Sequence, residues 1–306
     1  MDSAITAVGI PAKQCDTWCD QGATVTSAST YTSIKAALAH QDSAIRGRDY
    51  DVYLQGSYKS DTNIRGDSDV DVVVELNETY YQDISDLSAD EQTALNKSFI
   101  KADYSINAFD ADVQSALKSY YGSKSVTAAN KCLKVADGGG RLPADVVVAA
   151  QFRRYTKFRG YADQHHDQGI TFWGRTDKQQ VINYPRQHCD NSVSKNKSTK
   201  GNYKPSVRMI KNARAYLADN NVINRSLAPS YFVEGWLYNV PDEKFVSDSN
   251  TTFYNILKFF EGKEDWTKFV CQNYQYYLFG PLNVQWHEGN ARALHKALVK
   301  LWNEWD

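Results

Sequence analysis

The sequence predicts an α+β fold in which strands and helices alternate through the first half of the chain and helices fill the second. Two short runs, DVDVVVEL at 69–76 and ADVVVAAQ at 144–151, are rich in β-branched residues and too short for buried helices. The run Asp137-Gly138-Gly139-Gly140 supplies a turn just before the second of them. From Pro205 onward, apolar residues recur at helical spacing to the end of the chain.

In chain order, 29–46 reads as an amphipathic helix because Tyr31, Ile34, Leu38 and Ile45 recur near the helical period. Residues 50–55 form a strand that Gly56-Ser57 breaks, and 69–76 alternates at its start and then becomes wholly apolar, as a central strand does. A helix is expected over 93–120, a strand over 144–151, and a flexible loop over 189–203, which is dense in Ser, Asn and Lys. Val207, Ile210, Ala213 and Leu217 make the stripe of the next helix, and further helices are expected near 230–239, 250–262, 266–279 and 289–302. The change of pattern divides the chain into a mixed domain, 1–204, with an N-terminal helical segment, and a helical domain, 205–306.

The 306 residues carry 35 Lys+Arg against 36 Asp+Glu, a net charge of −1, and 42% are hydrophobic. This is the composition of a soluble globular chain long enough to bury a core without disulfides or structural metal. No apolar run approaches the roughly 18 residues of a membrane span, and the N-terminus lacks the order of a signal peptide, so a cytoplasmic protein with no membrane partner is expected. Near-neutrality argues against a partner of long nucleic acid. The cysteines Cys15, Cys19, Cys132, Cys189 and Cys271 are odd in number and lack the paired spacing of a zinc site even with His188 included, so buried free thiols are expected. His165 and His166 fall in what reads as a polar loop.

Neutrality conceals segregation. Residues 61–112 hold thirteen acids against Arg65, Lys97 and Lys101, whereas between Asp190 and Asp219 there are seven bases and no acid. An acidic segment and a basic one suit a metal ion and a polyanionic ligand. Strand periodicity puts Asp69 and Asp71 on one face, and two close carboxylates are costly unless a cation joins them. Oxygen-only ligands favour Mg²⁺ over zinc. Asp145, opening the second apolar strand, supplies a third carboxylate, and Gly56-Ser57 ends a strand in a small-residue turn able to receive phosphate oxygens. Three carboxylates around two Mg²⁺ ions are what an in-line phosphoryl or nucleotidyl displacement needs.

Gly56-Ser57, eleven further residues, Asp69-Val70-Asp71 and a later strand Asp145 resemble the signature of the DNA polymerase β-type nucleotidyltransferases. LQGSYKSDTNIRGDSDVDVVVEL, INYPRQH, PSVRMIKNAR and APSYFVEGWLYNVPDEKF, in that order, resemble the cGAS/DncV-like nucleotidyltransferases (CD-NTases). The resemblance implies a polymerase β-like core, a mixed sheet flanked by helices, packed against a C-terminal helical domain that completes the nucleotide cleft. It implies that Asp69, Asp71 and Asp145 are catalytic and ligate two Mg²⁺ ions, for which Mn²⁺ can substitute. Asp145 would also help deprotonate the attacking hydroxyl. Gly56, Ser57, Lys211 and Ser230 would bind triphosphate, Tyr231 would stack on a base, and Asn191 is a candidate for reading a base edge.

The implied activity is condensation and cyclisation of nucleoside triphosphates, ATP among them, into a cyclic di- or trinucleotide messenger with release of pyrophosphate. The context would be bacterial antiphage (CBASS) defence, with a monomeric enzyme reaching its effector only through the product. A nucleotidyltransferase acting on tRNA or a small molecule, and an inactive nucleotide sensor, are the alternatives. Without the resemblance, Lys211 reads as a solvated lysine, Ser230 as a helix cap after Pro229, and Tyr231 as core.

Overall fold

The computed structural model describes residues 4–22, 25–65, 69–282 and 284–305. The elements run α1 (Ala12–Cys19), α2 (Val25–Ala39), β1 (Tyr50–Leu54), α3 (Gly56–Ser60), β2 (Val70–Asp83), α4 (Ala89–Ser98), α5 (Ile106–Tyr121), β3 (Val126–Ala128), β4 (Leu133–Val135) and β5 (Ala144–Phe158). They continue with β6 (Gln164–Trp173), β7 (Gln180–Asn183), α6 (Pro185–Ser198), α7 (Tyr203–Asp219), α8 (Ser230–Tyr238), α9 (Ser249–Glu261) and α10 (Glu288–Asn303). The chain folds as two compact units, each discontinuous in sequence: one comprises 25–55 and 68–186, the other 1–24, 56–67 and 187–306.

The first unit is a mixed sheet with α2, α4 and α5. Its strands follow the order β1-β2-β5-β4-β3, with β6 on β5 and β7 on β6. Strands β2 and β5 pair in parallel, Val72 opposite Val146 and Val74 opposite Val148, while the other pairs are antiparallel. Val70, Val72, Val73, Val74, Leu76, Val146, Ala149 and Ala150 are fully buried, which is why both strands read as near-continuous apolar runs. Both run longer than the apolar cores at 69–76 and 144–151, since their distal halves lie partly exposed. The helix expected over 93–120 is two helices: Ser88 closes a capping box with Glu91 at the start of α4, and Ser105 caps α5.

His165 and His166 lie on β6, paired with β5, instead of in a loop. That strand alternates poorly in sequence because its polar half, from Gln164 to Gln168, is the half-exposed end. Beyond Gly169 it turns apolar and buried.

The second unit is built of helices around one core. Tyr203, Val207, Ile210, Ala213 and Leu217 of α7 meet Trp236 of α8, Phe253 and Phe260 of α9, and Leu294, Leu298 and Trp302 of α10. Helix α1 packs on α7 and α9 through Cys15 and Trp18, so the N-terminal segment belongs with the C-terminal helices and not with the sheet. Of the loop expected over 189–203, only 199–202 links two helices; 189–198 is the body of α6. Its hydrophilic composition is that of a helix anchored by polar contacts: Lys195 Nζ donates to Val240 O (2.6 Å) and pairs with Asp242, and Asn196 Oδ1 accepts from Lys204 N. Residues 266–279, expected as a helix, form turns and isolated bridges, because Trp266, Phe269 and Phe279 point into the core from a folded-back chain. Asn239 holds that chain by bonding both N and O of Val270, and Tyr274 takes a left-handed φ of 56°. All five cysteines are free, and burial pushes the Cys15 thiol up to about 12 and that of Cys19 to about 11.

Candidate active-site residues

In the sheet unit, Asp71 and Asp145 are register partners on the parallel strands β2 and β5. Adjacent strands lie about 4.8 Å apart and paired residues project to one face, so the two carboxylates stand side by side. Asp69 immediately precedes β2, and all three are half-buried. Gln55 N donates to Asp71 O (3.0 Å), extending the β1–β2 ladder to the end of β1. Lys134, opposite Asp145 on β4, places Nζ 3.7 Å from Asp145 Oδ1. The buried Cys132 thiol is pushed up to about 12, by burial first and then by the Asp145 carboxylate.

The carboxylate set offers oxygen ligands only and so fits a hard divalent cation. Among the described residues, no three His, Cys, Asp or Glu side chains converge closely enough to hold an ion by themselves. The carboxylates are therefore defined by strand position, not by a closed coordination sphere.

Four residues beyond Asp71 on the same face, Glu75 is fully buried. Its carboxylate accepts from Tyr53 Oη (2.7 Å), Arg186 Nη2 (3.1 Å) and Gln168 Nε2 (3.2 Å), joining β1, β2, β6 and the segment after β7. Arg186 also pairs with Asp51 and lies over the Tyr53 ring, 4.4 Å to its centroid. The sequence signal for this cluster is a glutamate inside the apolar run DVVVEL, which is intelligible only if it is paired.

The helical unit carries the expected nucleotide-binding residues. Gly56 has a φ of 66°, a conformation glycine adopts freely, and opens the single turn α3, leaving Ser57 half-buried at its start. Thr62 N then donates to Ser57 O (2.9 Å). Helix α7 grips the segment that follows: Lys204 Nζ bonds Asp61 Oδ2 (2.8 Å), Arg208 Nη1 bonds Asp61 O, and Lys211 Nζ bonds Thr62 O (3.1 Å). From the other side, Gly22 N donates to Asn63 O, and a Cβ on Gly22 would come 2.6 Å from Ile64 O, so only glycine fits there.

Lys211 is fully buried, with Nζ 2.6 Å from Glu234 Oε1. A direct bond to phosphate would require it to leave that carboxylate. Burial pushes the Glu234 carboxyl up, but the Lys211 ammonium and the His188 bond outweigh it and hold the group below its usual range. Ser230 is the first residue of α8, and its Oγ accepts from Arg214 Nη1 (3.3 Å). Tyr231, next in the helix, has the His188 ring stacked on it at 5.1 Å and 21° and the Phe232 ring edge-on at 5.4 Å. Asn191 Nδ2 is spent on Gln272 O, so part of its amide serves the fold.

The seven bases between 190 and 219, expected to face a polyanion, are thus largely engaged within the chain: Lys195, Lys204, Arg208, Lys211 and Arg214 all bond protein oxygens. Sequence reasoning missed Thr62 and Glu234. The available signal was a lone acid in the apolar helix SYFVEGWLY.

Residues 34–135 match a family model described as a nucleotidyltransferase domain, and residues 190–303 match that of the cGAS/DncV-like nucleotidyltransferase C-terminal helical domain. The chain is 43% identical over 296 residues to the cyclic UMP-AMP synthase of Rhodothermus marinus, covering 97% of this chain and 99% of the relative. It is 36% identical over 300 residues to the cyclic nucleotide synthase CdnE01 of Staphylococcus haemolyticus, with the same coverage of 97% and 99%. The solved structure of Rhodothermus marinus CdnE c-UMP-AMP synthase with Apcpp and Upnpp matches with a TM-score of 0.88 at 43% identity over 97% of both chains. That of Elizabethkingia meningoseptica CdnE with GTP and Apcpp matches with a TM-score of 0.77 at 26% identity, over 95% of this chain and 99% of the other. The chain belongs to the cGAS/DncV-like nucleotidyltransferase (CD-NTase) family and is a nucleotidyltransferase of the cyclic nucleotide synthase kind.

Proposed function

We propose that this enzyme joins two nucleoside triphosphates, ATP being one, and closes them into a cyclic dinucleotide with release of two pyrophosphates. The observation that carries the proposal is the register pairing of Asp71 with Asp145 on parallel strands, with Asp69 just ahead, in a chain 43% identical to a cyclic UMP-AMP synthase. The same relative makes UTP the first candidate for the second substrate.

In each of two steps, a sugar hydroxyl oxygen bonds to the α-phosphorus, the bond from that phosphorus to the bridging oxygen breaks, and pyrophosphate departs. Asp145 takes the hydroxyl proton, and Lys134 Nζ lies 3.7 Å from its Oδ1. Asp69, Asp71 and Asp145 hold Mg²⁺, which, when bound, neutralises charge building on the phosphates. Gly56 and Ser57 bind the triphosphate, Ser230 adds a hydroxyl, and Tyr231 stacks on a base. The biological setting proposed is antiphage defence, with an effector that meets the product only. Among the described residues, no helix is long and apolar enough to cross a membrane.

The test is incubation of the purified protein with Mg²⁺ and the four labelled triphosphates. A phosphatase-resistant product that needs two triphosphates, together with free pyrophosphate, is expected. Label found only on added tRNA or a small acceptor would overturn the proposal in favour of a transferase acting on those.

A further inference from the structure

Thr62 is fully buried and lies where three bonded paths meet. Its N–H holds Ser57 O (2.9 Å), its hydroxyl donates to Glu234 Oε1 (2.8 Å), and its carbonyl accepts from Lys211 Nζ (3.1 Å). Glu234 lies one helical turn after Ser230 and Tyr231 on α8, so the residues it bonds are set relative to both. Its second oxygen meets His188 Nε2 (3.3 Å), and the same imidazole stacks on Tyr231. The Glu234 backbone carbonyl is also held, by Tyr203 Oη (3.0 Å).

A buried ion pair between Lys211 and Glu234 is a costly way to stabilise a fold, because apolar residues of similar volume usually serve as well. Here the pair supplies an acceptor that apolar residues cannot, and the segment carrying Ser57 is fastened to it. Building on the function proposed above, we infer that Thr62, acting through Glu234 and Lys211, is a positioning residue for the nucleoside triphosphate. It fixes Ser57 in relation to Ser230 and Tyr231. Without the Thr62 hydroxyl the chain still folds, but Ser57 is no longer held in register with the residues on α8. The loss then falls on binding of the triphosphate and not on the chemistry of the carboxylates.

The experiment compares wild type, T62V and T62S. T62V is nearly isosteric and removes only the hydroxyl. Steady-state pyrophosphate release gives kcat and KM for triphosphate, calorimetry gives the Kd of a non-hydrolysable ATP analogue, and thermal melting tracks the fold. T62V is expected to raise KM and Kd about tenfold, the scale of losing one bond to a charged partner, with kcat within about twofold; T62S is expected to recover most of the loss. A T62V enzyme that melts lower but keeps wild-type KM and Kd would overturn the inference and leave Thr62 a structural residue only. If wild type itself formed no cyclic product while still binding the analogue, the functional proposal would fail on that result alone. The Kd comparison between the variants would still decide the role of Thr62.

Discussion

The two units of this chain handle charge in opposite ways. In the sheet, Asp71 and Asp145 stand half-exposed and side by side, with the half-exposed Lys134 near Asp145. In the helical unit, Lys211, Glu234 and His188 are buried within reach of one another, each bonded to groups of its own unit. Placing like charges next to each other destabilises a fold, and burying opposite ones offsets most of its own desolvation. The first arrangement suits a cation placed between the carboxylates. In the second, the Glu234 carboxylate is met within its own unit by Lys211, Thr62 and His188. Clustered charge in a sequence thus has two meanings, and burial together with partners tells them apart.

Removing the carboxylates breaks this contrast most sharply. D71N with D145N is expected to lower product formation by well over 100-fold, beyond the roughly 10–100-fold that loss of an outer-shell partner costs at a metal site. It should leave the melting temperature unchanged or raised, since a repulsive pair is gone; a clear fall in melting temperature would mean that the carboxylates are structural. The helical unit should behave in the reverse manner. K211M strands the buried Glu234 carboxylate and is expected to cost about 3–5 kcal/mol in denaturant unfolding. K211M/E234L should regain much of that, and a double mutant as unstable as the single would show that the ion pair is not the unit of stability.

Acid provides a milder perturbation of the same pair. The folded Glu234 carboxyl lies below its ordinary value of 4.5, so its contribution is fully present above that pH and is lost as pH falls below it. The stability difference between wild type and E234Q should accordingly shrink on acidification below 4.5, as read by melting at stepped pH. The smallest effect is expected at Lys134, which is half-exposed. K134A should change stability by no more than about 1 kcal/mol and reduce the rate only a few-fold, with the deficit shrinking at high salt as screening rises.

Much of the sheet was legible because burial on both faces writes itself as VVV and VVVAA, and the strand carboxylates stood out against those runs. The glycine-serine turn was legible for a similar reason, as a break directly after a strand. The polar helix α6 was not, since its stability rests on bonds such as that of Lys195 to Val240 O, made by residues 45 apart in sequence. Residues 266–279 misled in the other direction: apolar and aromatic side chains at near-helical intervals are buried there by turns, and Tyr274 in a left-handed conformation leaves no pattern of its own. Lys211 shows the limit for a site. Its place on α7 follows from the helical stripe, but whether its ammonium meets solvent or Glu234 depends on a residue 23 positions later.

The central claim, that the paired strand carboxylates drive formation of a cyclic dinucleotide, is tested most directly by mass spectrometry of the products that wild type and D71N/D145N make from ATP, UTP, GTP and CTP with Mg²⁺. Wild type is expected to yield a cyclic dinucleotide containing adenine, and the double variant none, at matched folded protein. Equal yields from both, or only linear products from wild type, would contradict it.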